Sequence, residues 1–276
     1  MKQIYFISDA HLGSLALKHG RTQERRLVNF LDQIKDKAEA IYMLGDMFDF
    51  WFEYREVVPK GYTRFLGKVS ELTDNGVEVH YFAGNHDLWM LDYLSTECGV
   101  TIHRLPETID LGGKIFYLAH GDGLDYRDRN WKTRLLFAAF HSPMLRRLAS
   151  MLPPDRFIRF GRNWAKHSRL KRIKADVPQF EGDVSNPIGY ESFDFEEEPY
   201  MGEDREGLVL YAKDYLRTHP TINYFIFGHR HIDLDLMLTR DARLVILGEW
   251  MSLFTYAVWD GEHLFVDNFV EGDTRL

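Results

Sequence analysis

Short apolar runs recur along this chain, and each breaks off into a polar cluster. Ile4 to Ile7 meets Ser8-Asp9, and Ala40 to Leu44 meets Gly45-Asp46. Val77 to Ala83 meets Gly84-Asn85-His86-Asp87, and Lys114 to Ala119 meets His120-Gly121-Asp122. Runs this short, bounded by Gly, Asn and Asp, predict buried strands. Thr22 to Ile34 and Arg64 to Thr73 carry apolar residues near helical spacing, and Asn75-Gly76 stops the second helix. Alternating strands and helices predict an α/β architecture, in which functional loops gather at the carboxyl ends of the strands.

Residues 127–174 break that rhythm. They predict helix, with basic and apolar residues intermixed and Pro153-Pro154 as an interruption, and read as an inserted helical cap. Residues 175–206 are polar and acidic, with Pro178, Pro187 and Pro199, and predict a long loop. A helix is expected over Gly207 to Arg217. The chain then turns β-rich, over Ile222 to Phe227, Ile232 to Leu238, Leu244 to Leu247, Phe254 to Trp259 and Leu264 to Phe269. Asp260-Gly261 is a hairpin signal between the last two. Residues 1–276 thus read as one domain with a cap insertion at 127–174 and an acidic loop at 175–206.

Composition narrows the class. With 45% hydrophobic, 28% charged and 14% aromatic residues, the 276-residue chain is neither disordered, collagenous nor a coiled coil. No apolar run approaches the roughly 20 residues that span a bilayer. The N-terminal run reads as a strand rather than a signal peptide. One cysteine, Cys98, leaves no internal disulfide framework and fits a reducing cytoplasm. The net charge of −8 hides an asymmetry: residues 127–174 hold fourteen Lys/Arg against two Asp/Glu, a local +12. A basic block in an acidic protein implies a local anionic partner rather than general polyanion binding.

Five clusters follow the apolar runs in order: Asp9-Ala10-His11, Gly45 to Asp49, Gly84 to Asp87, His120-Gly121-Asp122 and Gly228-His229-Arg230-His231. They supply carboxylates, imidazoles and one carboxamide. That mixed N/O set suits Mn²⁺, Fe²⁺ or Zn²⁺, and the lack of thiolate argues against a structural zinc site. Asp-x-His and His-x-His let two ligands turn from one tight loop toward one ion. Asp49 reads equally as an outer partner of a ligand imidazole or as a helix cap, and Asp122 likewise as a partner or a loop cap. His19, His80, His103, His141, His167, His219 and His263 read as ordinary surface or packed residues.

The ordered clusters from Asp9 to His231 resemble the signature of the calcineurin-like metallophosphoesterases. The resemblance implies an α/β (α+β) fold, a four-layer α/β/β/α sandwich with an inserted helical cap. It implies two divalent metal ions, Mn²⁺ first, with Fe²⁺ or Zn²⁺ as alternatives. Carried over by position, Asp9, His11 and His231 would hold one ion. Asn85, His120 and His229 would hold the other, and Asp46 would bridge them. His86 would be a catalytic residue, with Asp87 as its orienter.

Within that family the chain is most similar to the UDP-2,3-diacylglucosamine hydrolases of lipid A synthesis. Gly45 to Trp51, His120 to Leu124 followed by Asp128 and Trp131, the basic helical insertion, and Gly248-Glu249-Trp250 carry this likeness. Those enzymes typically have Arg where this chain has His86. The likeness implies cleavage of a nucleotide-lipid pyrophosphate, with Asn85, His86, Asp128, Ser168 and His229 as substrate contacts. The alternative is a soluble metal-dependent phosphodiesterase or phosphatase acting on nucleotides or other small phosphoesters. A nuclease is a third class, since a +12 block could track a phosphate backbone. The apolar content of the cap, including Leu135, Leu136, Phe137, Phe140, Met144, Leu145, Leu148, Met151 and Leu152, favours the lipid over a nucleic acid. The expected location is the cytoplasm, with peripheral contact on an anionic membrane surface. No signal sets an oligomeric state.

Overall fold

Gln3–Ile7 (β1), Ala38–Met43 (β2), Glu78–Phe82 (β3) and Thr101–His103 (β4) lie parallel in one sheet of the computed structural model. Thr255–Trp259 (β10) pairs antiparallel with β1, and Leu264–Asn268 (β11) extends that edge. The order is β11-β10-β1-β2-β3-β4. A second sheet runs Glu107–Leu111 (β5), Lys114–Leu118 (β6), Tyr224–Phe227 (β7), Arg243–Ile246 (β9) and Leu234–Met237 (β8), with β6, β7 and β9 parallel. The structure describes residues 2–15, 17, 20–124, 131–174 and 200–272.

The sheets face each other across Phe6, Tyr42, Leu44, Phe82, Phe116, Leu118, Ile226, Val245 and Trp259, all buried. Gly20–Ile34 (α1), Thr63–Asp74 (α2) and Tyr93–Cys98 (α3) cover the outside of the first sheet through Phe30, Leu31, Phe65, Val69 and Leu94. Gly207–Leu216 (α7) covers the second through Leu208, Val209 and Ala212. Mixed and parallel strands covered on both faces need near-continuous apolar runs, which is why the runs announced themselves in sequence. The result is the four-layer α/β/β/α sandwich that the resemblance implied.

Three elements went unread. Short β4 and α3 carry weak local signals, and β5 alternates half-buried and exposed residues rather than forming an apolar run. The Glu53 carboxylate holds the start of α3, accepting from the backbone N–H of Leu91, Asp92 and Tyr93 at 2.8 Å each. His80 and His103 are packed, but they have partners. His80 Nδ1 and His103 Nε2 lie 3.0 Å apart, and His103 Nδ1 lies 2.7 Å from Glu107. The hairpin at Asp260-Gly261 joins β10 to β11, with Asp260 Oδ1 accepting from the N–H of Glu262 and His263.

Trp131–Phe140 (α4), Pro143–Ala149 (α5) and Pro154–Lys174 (α6) form the inserted region. It meets the body through Phe50, Phe52, Tyr54, Trp89, Ala149, Phe157 and Ile158. Trp89 Nε1 donates to the Phe140 carbonyl at 2.8 Å. Gly161 on α6 lies so close to the Phe50 ring that no side chain would fit between them. Arg162 donates to the Lys60 carbonyl at 3.2 Å and to the Tyr62 hydroxyl at 3.0 Å. Among the described residues, no helix is long and apolar enough to cross a membrane.

Candidate metal centre

The carboxyl ends of β1, β2 and β3 in one sheet, and of β6 and β7 in the other, open on one cleft. Each ends in one of the polar clusters. Parallel strands aim their ends the same way, so residues scattered over 220 positions converge.

Ser8 and Asp9 follow β1 and are fully buried. The Ser8 hydroxyl donates to Asp9 Oδ2 at 2.5 Å, and the His229 N–H donates to the same oxygen at 2.9 Å. Among the described residues, Asp9 Oδ1 accepts no hydrogen bond. It faces His231 Nε2 at 3.2 Å and His11 Nε2 at 3.6 Å. The Nε2 atoms of His11 and His231 themselves lie 3.0 Å apart. Two such nitrogens cannot share this spot without a proton or a cation beside them.

Asp46 follows β2. Its Oδ1 accepts from the His86 N–H at 2.8 Å. Its Oδ2 lies 3.4 Å from His120 Nε2 and 3.9 Å from His11 Nε2, between the two groups of imidazoles. His120 Nδ1 donates to the Leu44 carbonyl at 2.7 Å, which leaves Nε2 as the lone-pair nitrogen of the neutral ring. That Nε2 lies 3.3 Å from Asn85 Oδ1. The His229 ring stands edge-on to His120, with centroids 5.1 Å apart. Three sets, Asp9/His11/His231, His11/Asp46/His86 and Asp9/Asp46/His120, bring their ligand atoms within 4.8 Å of one another.

Electrostatics point the same way. Burial opposes ionisation of Asp9 and Asp46, yet the surrounding imidazoles outweigh it and hold both carboxyls below their usual range. Burial would likewise lower the His120 imidazole, but the Asp46 carboxylate raises it well above its ordinary value. The cluster therefore gathers positive charge around two buried carboxylates, a role that divalent ions can take over. The donor set, the orphaned Asp9 oxygen and the opposed nitrogens fit such ions.

The backbone of the cluster is also unusual. Seven non-glycine residues among those described have left-handed φ, and five are Asp9, His11, Asp46, His229 and His231. Such angles cost free energy and persist where the surrounding structure imposes them. Gly45 and Gly84 are needed here, because a Cβ at Gly45 would lie 2.6 Å from His120 Nδ1 and one at Gly84 would strike Asp46.

Around the centre, Asp49 Oδ1 lies 3.7 Å from His11 Nδ1, so it faces a ligand-type imidazole. Asp122 Oδ2 lies 3.9 Å from His141 Nε2. One expectation is corrected: Asp87 does not orient His86. The Asp87 carboxylate accepts from the Gly84 N–H, the Phe48 N–H and the Tyr81 hydroxyl, and braces the loop from below. Burial, then repulsion from Asp46, push its carboxyl up to about 7. His86 Nδ1 donates instead to the Asp49 carbonyl at 2.8 Å, leaving its other nitrogen for the cleft. Asp128 lies outside the described residues. Ser168 lies on α6, and its side chain is not among those described.

Two features escaped the sequence reading. Ser8 is an ordinary polar residue after a strand, and only its burial marks it. The second is a buried ion pair. Arg230, between the two histidines, donates from Nε to Glu206 Oε1 at 2.7 Å and from Nη2 to Oε2 at 3.1 Å.

Beside Asn85 and His86 opens a cavity of about 680 Å³, within the range of roughly 300–1,000 Å³ typical of ligand sites. Its other walls are apolar: Phe50, Trp89, Leu148, Phe157, Phe160 and Trp164 are among them.

A family model described as calcineurin-like phosphoesterase matches residues 2–233. The chain is 42% identical to a UDP-2,3-diacylglucosamine hydrolase of Porphyromonas gingivalis, over 96% of this chain and 97% of that one. It is 33% identical to a protein of the same name from Neisseria meningitidis, over 64% of this chain and 70% of the other. Escherichia coli Yfce, a phosphoesterase of known structure, aligns over 95% of this chain and 90% of its own, with 14% identity and a TM-score of 0.40.

Proposed function

The chain belongs to the calcineurin-like phosphoesterase family, and from that premise we propose that it hydrolyses the pyrophosphate of UDP-2,3-diacylglucosamine. The products would be UMP and 2,3-diacylglucosamine 1-phosphate. The observation that carries this reading is the apolar cavity at the edge of the polar cleft, opening beside Asn85 and His86. A small soluble phosphoester has no use for such a wall, whereas an acyl chain gains about 0.8 kcal/mol per buried CH₂.

Asp9, His11 and His231 would hold one divalent ion, and Asn85, His120 and His229 the other, with Asp46 shared. Mn²⁺ is the first choice, with Fe²⁺ or Zn²⁺ as alternatives. Two such ions polarise phosphoryl oxygens and lower the pKa of a water toward about 7. The protein does the rest. Asp46 keeps one oxygen on the His86 N–H and one on the cleft, so its orientation is set before substrate arrives. Leu44 fixes the tautomer of His120 through its carbonyl. His86, anchored on the Asp49 carbonyl through Nδ1–H, would act on the leaving oxygen as a proton donor when its ring carries a second proton on Nε2. Asn85, His86 and His229 would contact the phosphates. Asp128 and Ser168 remain candidates from the cap.

Leu148→Glu tests the cavity. A carboxylate on that wall should raise KM for the diacylated substrate about 10–100-fold, the equivalent of a few lost methylene contacts. Turnover of a small chromogenic phosphodiester should stay within about twofold. Equal activity of the wild-type protein on UDP-glucose and its diacylated analogue would overturn the lipid reading in favour of a soluble phosphodiesterase.

The cap also carries exposed Trp131, Met144 and Met151, and Met144 shares α5 with Arg146 and Arg147. Apolar tips next to cations suit the surface of an anionic membrane, at about 1 kcal/mol per well-placed Lys or Arg. The protein should sediment with anionic vesicles at low salt and be released at high salt. Sedimentation that salt leaves unchanged would argue against this contact.

A further inference from the structure

We propose that the Glu206–Arg230 ion pair is a positioning device that sets His229 and His231 on their metal positions. The proposal rests on the two-metal reading above. His229 and His231 flank Arg230 on one turn, and both stand in left-handed backbone, φ 69° and 55°. The Arg230 N–H closes the turn onto the Gly228 carbonyl at 2.8 Å. Left-handed backbone costs free energy in a non-glycine residue, so the turn is held from outside: the His229 N–H donates to Asp9 Oδ2 at 2.9 Å, and the Gly228 N–H to the His120 carbonyl at 2.9 Å.

Arg230 is the handle. Its side chain leaves the turn between the two histidines and is almost wholly buried, as is Glu206. The two-point grip at 2.7 and 3.1 Å fixes the guanidinium in rotation as well as position, which a single hydrogen bond or a lysine would not do. Glu206 is itself held by its backbone. It precedes α7, its N–H donates to the Gly202 carbonyl at 2.9 Å, and its carbonyl accepts from Leu210 at 3.0 Å. The next residues of α7, Leu208 and Val209, are fully buried in the second sheet's outer core.

A buried ion pair is a poor source of stability, since apolar residues of similar volume usually do as well or better. Its use lies in specifying one arrangement. Here the arrangement specified is the turn that presents one histidine toward each half of the centre. Residues 200–205 lead straight into Glu206, so the start of α7 is fixed at the same point as the histidines.

The test is manganese binding to metal-free protein by calorimetry, with thermal unfolding measured on the same samples. Wild-type protein should bind two ions; fewer would tell against the metal centre itself. Glu206→Gln should stay folded while binding Mn²⁺ about 10–100-fold more weakly, the usual cost of losing a partner behind a ligand. Its kcat should recover when Mn²⁺ is raised to saturation. Arg230→Lys should weaken binding as well, because a point charge cannot make the two-point grip. If Glu206→Gln does not fold, the double variant Glu206→Gln/Arg230→Gln leaves no lone buried charge and carries the same readout. Unchanged Mn²⁺ affinity in a folded variant overturns the proposal. Failure of both variants to fold overturns it too, because the pair would then serve stability alone.

Discussion

Asp46→Ala should strip the protein of both ions and cut turnover by at least about 10³-fold. The reason is the placement of one oxygen. Asp46 Oδ2 lies within 4 Å of both His120 Nε2 and His11 Nε2, which the proposed assignment places in opposite halves of the centre. In the proposed assignment every other ligand serves one half. Removing Asp46 also releases the His86 N–H from Oδ1, so the loop after β3 loses a tether at the same time. Metal chemistry of this type supplies several kcal/mol of transition-state stabilisation, and each 1.4 kcal/mol is a factor of ten. Elemental analysis of dialysed protein, together with turnover of a phosphodiester, checks both halves of the expectation. A variant that kept two ions and near-normal turnover would show that Asp46 does not bridge.

His86→Ala should keep both ions and lose about 10²–10⁴-fold in kcat, the range expected for removal of proton-transfer help. The structure leaves two roles open to this ring. Its ligand atoms fall within 4.8 Å of those of His11 and Asp46, close enough to share an ion. Against that, His11 has Asp9 and His231 around the same nitrogen, so neither half needs His86 for a reasonable set. The anchor of His86 on the Asp49 carbonyl fixes the ring at the wall of the apolar cavity, where the leaving oxygen of a bound substrate would emerge. Elemental analysis separates the roles: loss of an ion from His86→Ala would make this histidine a ligand.

Much of this was legible in sequence, for a physical reason. Strands covered on both faces must be apolar throughout, so β1, β2, β3 and β6 stood out. The residues that follow them could not be apolar if the cleft was to hold charge. The contrast at Ile7/Ser8 or Leu44/Gly45 is therefore sharp in one dimension. What was not legible depends on pairings across the fold. Nothing near Glu53 says that it caps a helix some forty residues later. Nothing near Asp87 says that its carboxylate turns down to Tyr81 rather than across to its neighbour His86. Glu206 looked like the last of a run of acids, yet it is buried in an ion pair with Arg230. Charge counted along the chain cannot tell a solvated carboxylate from a structural one.

The left-handed residues of the centre have a consequence for the history of this protein and for its engineering. Asp9, His11, Asp46, His229 and His231 occupy conformations that glycine adopts freely. At the three histidines a glycine would relieve that strain, whereas Asp9 and Asp46 also accept hydrogen bonds from the Ser8 hydroxyl, the His229 N–H and the His86 N–H that a glycine would leave unmade. A selection for thermal tolerance or expression alone, with no demand for turnover, would therefore wear away the catalytic centre first and leave the sandwich intact. A descendant of this chain that kept the scaffold and lost the chemistry should carry glycine at the three histidine positions, the residue its backbone already favours, before it loses the two aspartates.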